Sequence, residues 1–241
     1  MAVTVAPPSL FRALAELPRA AWSVLSLAGA RTAMRAAPRG DGRPVLVLPG
    51  LFNSDRSNFV MRGFLDRLGY RAYGWGLGRN FGVRAVGKHA ERLIARVEAI
   101  HAETGEKVTL IGVSLGGIMA RIVAHRRPEL VREVITVSSP FAGPPTATNV
   151  WKAFELITGE KIGDPSVRAN AAEAAAPLDV PTTAIWSRSD GLVNGMICHD
   201  DHCRSIEIRS SHIGVQLKPE TLLAIAGVLG ARVAQSGAPE V

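Results

Sequence analysis

The chain contains few cysteines and no long apolar run. Only Cys198 and Cys203 occur among its 241 residues, which is too few for a disulfide framework and enough for one local bridge. No apolar stretch approaches the ~20 residues that a helix needs to cross a bilayer, and the chain has no internal repeat or low-complexity tract. The sequence therefore argues against a small disulfide-rich domain, a transmembrane protein and a repeat array.

Acidic residues are also scarce. Asp and Glu number 21 against 28 Lys and Arg, a net charge of +7 that predicts attraction to anionic surfaces. Residues 1–44 alone supply +4 of this charge. Because no nucleic-acid recognition motif accompanies the charge, we predict no nucleic-acid partner. With 47% hydrophobic and 20% charged residues, a single globular domain is expected.

The N-terminal segment, residues 1–43, differs from the rest of the chain. Its first apolar residues recur at helical spacing among arginines, which predicts a basic amphipathic helix. These residues are Leu10, Phe11, Leu14 and Leu17. Such a helix either packs against the domain, the commoner arrangement, or makes peripheral contact with a membrane, and the sequence leaves both open.

A secretory leader cleaved after Ala30 is an alternative for this segment. Arg12 and Arg19 lie far from Met1, and Glu16 interrupts the apolar pattern, which argues against a leader. We therefore expect the segment to be retained and the protein to be cytoplasmic. Membrane association and secretion are the less favoured localisations.

From residue 44 onward, β-branched apolar runs alternate with helical patterns. The predicted strands are 45–48, 70–77, 108–113, 133–137, 182–186 and 205–209, and the predicted helices are 59–68, 83–103, 115–127 and 218–234. This alternation predicts an α/β fold with a doubly wound, mostly parallel sheet over residues 44–241. Between the strands near 137 and 182 the alternation breaks, so residues 140–181 are predicted to form an inserted cap over one edge of the sheet, with a surface excursion as the alternative.

A glycine-bracketed serine follows the third strand. In Gly112-Val113-Ser114-Leu115-Gly116, the glycines leave room for a sharp turn from strand to helix that pushes the serine hydroxyl outward, as in a nucleophile elbow. Glycine and serine are common, so the pattern alone fits an ordinary loop equally well. The rest of the chain has to distinguish the two.

A serine nucleophile needs a base within reach and a third group to orient that base. Asp190 and His212 each follow a predicted strand, where parallel α/β folds place functional side chains. Their order after Ser114 is the order nucleophile, acid, base that follows a nucleophile elbow. The remaining histidines lie in helical patterns or before the last strand. We therefore predict Ser114, Asp190 and His212 as the catalytic residues.

Acyl transfer also needs donors for the developing oxyanion. The elbow supplies the N–H of Leu115, the residue after the nucleophile. The second donor is predicted to be the N–H of Leu51, in the loop after the first strand, where Gly50 lets the backbone approach the substrate.

Four motifs in this order resemble a known superfamily. They are 48–52 (Leu-Pro-Gly-Leu-Phe), 112–117 (Gly-Val-Ser-Leu-Gly-Gly), 187–191 (Ser-Arg-Ser-Asp-Gly) and 210–214 (Ser-Ser-His-Ile-Gly). Over roughly Pro44 to Ala234 the chain is similar to the α/β-hydrolase superfamily, specifically to bacterial lipase-like esterases. One departure is Pro49, because many lipases carry histidine before the oxyanion glycine.

The resemblance implies hydrolysis of carboxylic esters through an acyl-enzyme. Ser114 would attack, His212 would move the proton, and Asp190 would orient His212. A cap over the nucleophile would place apolar side chains around an acyl site, so we predict small-molecule or lipid esters with hydrophobic acyl groups as substrates. The side chains predicted to bind substrate are Phe52, Phe141, Trp151, Phe154 and Ile157.

Other functions remain as alternatives. An acyltransferase uses the same triad with an acceptor other than water, and a non-catalytic binding module would retain the fold alone, although the intact triad argues against it. Residues 198–203 are six consecutive residues that could each bind a metal. Side chains of adjacent residues cannot all reach one ion, however. We predict no metal or cofactor, with zinc there, or calcium at Asp200 and Asp201, as weak alternatives. The sequence does not indicate which oligomeric state the protein adopts.

Overall fold

Six parallel strands lie at the centre of the structure, a computed structural model that describes residues 5–236, with side chains as far as residue 231. The strands are β1 (Pro44–Leu48), β2 (Arg71–Gly74), β3 (Val108–Val113), β4 (Val131–Val137), β5 (Thr182–Trp186) and β6 (Arg204–Glu207). Their order is β2-β1-β3-β4-β5-β6, which confirms the predicted doubly wound parallel sheet. The direction of winding reverses between β1 and β3, and ligands bind at such a switch point.

Helices cover both faces of this sheet. They are α1 (Leu10–Leu14), α2 (Glu16–Gly29), α3 (Arg31–Arg35), α4 (Phe59–Leu68), α5 (Val83–Val86), α6 (Glu91–Thr104), α7 (Leu115–Arg126), α8 (Trp151–Thr158), α9 (Pro165–Ala175) and α10 (Pro219–Ser236). All six residues of β3 are buried. Its neighbouring residues Leu110 and Ile111 belong to two different apolar cores, one on each face, as expected for a strand of a covered parallel sheet.

The predicted helix over 83–103 is wrong as a single element. The structure has two helices, α5 and α6, because Gly87 and Ala90 between them have positive φ angles of 90° and 56°. A left-handed backbone cannot continue a right-handed helix. Two strands are also shorter than predicted, since β2 ends at Gly74 and β6 ends at Glu207.

The 140–181 segment contains α8 and α9. Arg121 on α7 is fully buried and donates hydrogen bonds to the main-chain carbonyls of Ala174 and Ala176 at the end of α9. Its guanidinium lies 3.9 Å from the centre of the Phe141 ring. The segment is thereby held against the helix that follows Ser114.

The N-terminal helices pack against the domain through both polar and apolar groups, with Leu27 and Met34 against the core. Glu16 and Ser23 on α2 are buried, whereas Leu10, Phe11 and Leu14 on α1 are each at least 78% exposed. An amphipathic helix on a protein surface normally buries its apolar residues and exposes its polar ones, so these polar and apolar residues show the reverse burial.

Three further observations concern the described part of the chain. No helix within residues 5–236 is both long and apolar enough to cross a bilayer. Over the same residues, no group of three or more His, Cys, Asp or Glu side chains could hold a metal ion. Cys198 and Cys203 are free thiols, and burial raises the pKa of both.

Candidate active site

Ser114 lies in the sharp turn between β3 and α7. Its backbone has φ 52° and ψ −121°, a combination that L-residues rarely adopt and that stores strain at functional sites. A Cβ added to Gly112 would lie 2.4 Å from the carbonyl oxygen of Gly116, and one added to Gly116 would lie 2.6 Å from that of Leu48. The two glycines are therefore required by space, as the sequence pattern indicates.

His212 lies between Ser114 and Asp190. Its Nε2 is 3.1 Å from Ser114 Oγ, and its Nδ1 is 2.7 Å from Asp190 Oδ2. The other carboxylate oxygen of Asp190 accepts the N–H groups of Leu192 at 2.9 Å and Val193 at 2.8 Å. Asp190 is 2% exposed, so the acid is held in one orientation by three hydrogen bonds.

The electrostatic environment of His212 favours its protonated form. Burial lowers the pKa of the imidazole, but the charge and hydrogen bond of Asp190, together with the charge of Glu16, outweigh burial and raise the pKa above its usual value of 6.5. The arrangement can therefore stabilise an imidazolium, which forms when a histidine accepts a proton from serine.

The loop after β1 approaches the serine closely. A Cβ added to Gly50 would lie 3.3 Å from Ser114 Cβ, and Leu51 and Leu115 lie beside Ser114 on the wall of one cavity. The N–H of Leu51 has no backbone acceptor among the described residues. As the first residue of α7, Leu115 also has an N–H without an intrahelical acceptor. Both predicted oxyanion donors are thus available to a ligand.

Asn80 fixes the loop after β1 through three hydrogen bonds. Its buried side chain donates to the Pro49 carbonyl at 2.7 Å. Its main-chain carbonyl accepts the N–H of Phe52 at 2.8 Å, and its own N–H donates to Asn53 at 2.8 Å. Phe52 has a φ of 63°, so the loop keeps a strained conformation while the Leu51 N–H stays free.

A cavity of about 170 Å³ lies beside Ser114, between α7 and the 140–181 segment. Three of the predicted substrate-binding side chains, Phe141, Trp151 and Phe154, lie on its wall. Two do not: Phe52 packs at 5.9 Å from Phe81 in an edge contact, and Ile157 lies on α8 outside the wall.

Sequence reasoning did not assign roles to three buried polar residues at this site. Asn80 lies in no recognisable motif. Arg121 is a cation within the buried apolar pattern of α7, and Glu16 is the only acid among residues 1–40. Arg121 and Glu16 each depart from the pattern around them. Such a departure signals a structural role, because a charged side chain is buried only where it has partners.

Part of the chain is similar in sequence to known proteins. A family model described as the α/β hydrolase fold matches residues 84–160. The chain is 33% identical over 147 residues to a triacylglycerol lipase of Burkholderia plantarii, an alignment that covers 58% of this chain and 41% of the lipase. This chain thus spans less than half the length of that curated relative.

Solved structures give the same fold. An α/β hydrolase from lagoon sediments of Mar Chica, Morocco, superposes with a TM-score of 0.57 at 19% identity, covering 82% of this chain and 93% of that one. The monoacylglycerol lipase of Paleococcus ferrophilus gives 0.55 at 18% identity, covering 81% and 96%.

The sheet order, the serine turn and these similarities define the class: the chain is an α/β-hydrolase-fold protein. In sequence it resembles part of a bacterial triacylglycerol lipase.

Proposed function

We propose that this protein is a serine hydrolase that cleaves carboxylic esters through Ser114, His212 and Asp190. The observation that carries the proposal is the continuous hydrogen-bonded chain from Ser114 Oγ through His212 to Asp190. Similarity to a triacylglycerol lipase supports an ester as the substrate.

The proposed reaction has two stages. His212 Nε2 takes the Ser114 proton as Oγ bonds to the ester carbonyl carbon, and the N–H groups of Leu51 and Leu115 stabilise the oxyanion. The imidazolium gives that proton to the departing alcohol as the C–O bond breaks, which leaves an acyl-enzyme. Water then attacks the acyl carbon, loses its proton to His212, and releases the acid as the proton returns to Ser114.

We infer that a single unbranched acyl chain occupies the cavity. Leu115, Ile118, Ile122 and Arg126 line it along one face of α7, over a length of roughly 16 Å at ~1.5 Å per residue. At about 170 Å³ the cavity is smaller than a pocket that encloses a whole drug-sized ligand, which favours one acyl chain as its occupant. Its lining is mainly apolar, which favours hydrocarbon chains of short to medium length.

The triad is tested by labelling with a serine-directed fluorophosphonate. The native chain should be labelled and Ser114→Ala should not, and the same variant should lose ester hydrolysis. Retention of label in Ser114→Ala would place the reactive serine elsewhere. Product analysis with added alcohols separates hydrolysis from acyl transfer, because a transferase would form a new ester in preference to free acid.

The acyl site is tested with a series of straight-chain esters. Ile122→Phe should lower kcat/KM for long chains more than for acetyl esters, because the larger side chain fills the far part of the channel. Leu156→Ala is the matched control, since Leu156 is 86% exposed on α8. An equal loss for all chain lengths in Ile122→Phe would contradict the proposed location of the acyl chain.

A second proposal concerns the N-terminal helices. We propose that α1 and α2 contact an anionic lipid surface, because seven large apolar side chains are exposed on these helices and the structure also has a basic cluster that includes α3. The apolar residues are Leu10, Phe11, Leu14, Leu17, Trp22, Val24 and Leu25. The basic cluster is Arg31, Arg35, Arg39 and Arg67, which line one shallow depression. Apolar and cationic side chains together favour binding at a lipid interface.

Vesicle flotation tests this contact. The native chain should float with vesicles containing anionic lipid, less at high salt, and the triple variant Leu10→Ser, Phe11→Ser, Leu14→Ser should stay in the soluble fraction. Equal flotation of the native and triple-variant chains would show that these side chains make no such contact.

A further inference from the structure

Glu16, the first residue of α2, is buried against the two loops that carry the acid and the base. Its side chain is 1% exposed, although Leu17, Trp22 and Leu25 on the same helix are exposed. Burying a carboxylate is costly unless hydrogen bonds replace its hydration. The partners of Glu16 therefore indicate what it does.

Each carboxylate oxygen of Glu16 accepts one main-chain N–H. Oε1 accepts from Gly191 at 2.7 Å, and Oε2 accepts from Ile213 at 2.7 Å. Gly191 follows Asp190 in the chain, and Ile213 follows His212. One carboxylate thus joins the acid loop to the histidine loop, immediately beside the two residues whose own hydrogen bond is 2.7 Å long.

Other contacts fix the helix in the same place. Arg19, one turn further along α2, donates to the carbonyl oxygen of Ser189 at 2.6 Å and to its hydroxyl at 2.8 Å. It also lies 3.8 Å from Glu16 Oε1. A Cβ on Gly191 would lie 2.3 Å from the carbonyl oxygen of Arg12, so only glycine lets the N-terminal backbone approach the acid loop this closely.

We propose that Glu16 is a positioning residue for the hydrolytic reaction: it holds the Asp190 and His212 loops at a fixed separation and adds a negative charge near the imidazolium. This inference rests on the proposed function of Ser114, His212 and Asp190. It also gives the N-terminal segment a role in the active site in addition to its surface contacts.

The charges near His212 come from two parts of the chain. Asp190 lies on the loop after β5 and bonds the imidazole directly, whereas Glu16 acts from α2. Arg19, also on α2, lies 3.8 Å from Glu16. Because the charge of Glu16 helps to raise the pKa of His212, its removal should lower that pKa.

Two isosteric or near-isosteric variants separate charge from geometry. Glu16→Gln keeps the size, loses the charge, and leaves one of the two N–H groups facing an amide donor. We expect kcat to fall by up to about 100-fold, the loss typical of a misplaced catalytic group, with KM little changed and the acid limb of kcat/KM moved to lower pH. Glu16→Asp keeps the charge with a shorter side chain, so kcat should fall while the acid limb stays near its native position.

The control is Glu98→Gln, which removes a carboxylate of similar size from a surface ion pair with Arg127. It should leave kcat and the pH profile unchanged. Circular dichroism establishes folding for each variant. If Glu16→Gln retains native kcat and a native acid limb, Glu16 is not a positioning residue, although the proposed triad still stands.

A second readout does not depend on activity. NMR titration of the His212 imidazole in Ser114→Ala should give a lower pKa when Glu16→Gln is added to that background. An unchanged His212 pKa would overturn the electrostatic part of the proposal. Failure of the proposed function is recognised separately, as native chain that hydrolyses no ester and takes no fluorophosphonate label.

Discussion

The imidazole of His212 and the carboxylate of Asp190 are joined by a 2.7 Å hydrogen bond in a site where the acid is almost completely shielded from water. Shielding strengthens the interaction between an imidazolium and a carboxylate, because little solvent screens it. The bond also leaves Nε2 of His212 as the nitrogen that faces Ser114. The hydrogen bond to Asp190 thus both orients the His212 ring and raises its basicity.

The pH dependence of ester hydrolysis should reflect this bond. His212 must be neutral to accept the serine proton, and Asp190 contributes to a pKa above 6.5. Activity should therefore fall as pH decreases through a value above 6.5, which is the acid limb of kcat/KM. A limb well below that value would contradict the arrangement.

Asp190→Asn tests the same bond. It removes the charge that raises the His212 pKa, so burial should dominate and the acid limb should move to lower pH. The rate should fall by roughly 10⁴-fold because the amide favours the wrong imidazole tautomer. Asp179→Asn, at an exposed position before β5, should change neither quantity.

The lack of space around Gly112, in the turn that holds Ser114, gives a second prediction. In Gly112→Ala the new Cβ would lie 2.4 Å from main-chain atoms of Gly116 and Gly117, so the backbone must move. We expect a loss of about 1–3 kcal/mol in the free energy of unfolding, as for overpacked cores, and a lower kcat because Ser114 is displaced. Urea denaturation and ester hydrolysis measure the two.

Gly227→Ala is the matched control for that substitution. Gly227 lies on the exposed face of α10 with no atom within 4 Å of the added Cβ. It should gain about 0.5–1 kcal/mol from helix propensity. If Gly112→Ala keeps native stability and activity, the space around Gly112 is not limiting.

The strands and the order of the site residues could be predicted because each rests on local pattern. Val108 to Val113 is apolar except for Thr109, which predicts a strand buried on both faces. Asp190 and His212 both follow strands, and chain order alone then assigns their roles. Gly87 was a visible signal for the break between α5 and α6, whereas Ala90, whose φ is also positive, carries no sequence signal for a left-handed backbone.

Contacts between distant segments could not be predicted from local pattern. Glu16 bonds Gly191 and Ile213 across separations of 175 and 197 residues. Among the leucines of α2, Leu27 packs against the core, whereas Leu17 and Leu25 are exposed. Asn80 likewise acts through long-range contacts. For both Glu16 and Asn80, hydrogen bonds to distant segments determine the role of the side chain, whereas the hydrophobic pattern of the sequence predicts only local burial.

Asn80 gives a third prediction. Asn80→Asp keeps the shape but places a carboxylate oxygen where an amide donates to Pro49 at 2.7 Å. Repulsion between the two oxygens should shift the loop that presents the Leu51 N–H, and kcat should fall by up to about 100-fold. The acid limb set by His212 should remain near its native pH, which distinguishes loop displacement from an effect on the base.

A stability control accompanies this variant. Leu222→Ala removes a fully buried side chain from the core beneath α10, so Tm should fall while kcat at a permissive temperature is retained. If Asn80→Asp loses kcat only in proportion to its loss of Tm, as Leu222→Ala would, the residue stabilises the fold and does not position the oxyanion loop.

Arg121 gives the last prediction, which concerns the 140–181 segment. Arg121→Met keeps the apolar contact with Phe141 but leaves the carbonyl groups of Ala174 and Ala176 without their guanidinium donors. Hydrogen bonds from a charged donor contribute about 1.5–3 kcal/mol each, so the free energy of unfolding should fall by about 3 kcal/mol in urea denaturation.

The same change should alter substrate preference. Ala174 lies on the wall of the acyl cavity, so release of α9 should widen the channel and reduce discrimination against long or branched acyl esters. Arg127→Met, at the end of α7, removes only solvent-exposed ion pairs with Glu98 and Glu129 and should change stability far less. Equal effects of the two substitutions on stability and chain-length preference would mean that Arg121 does not anchor the segment. A larger effect confined to Arg121→Met would identify the buried guanidinium as the link between the nucleophile helix and the wall of the acyl site.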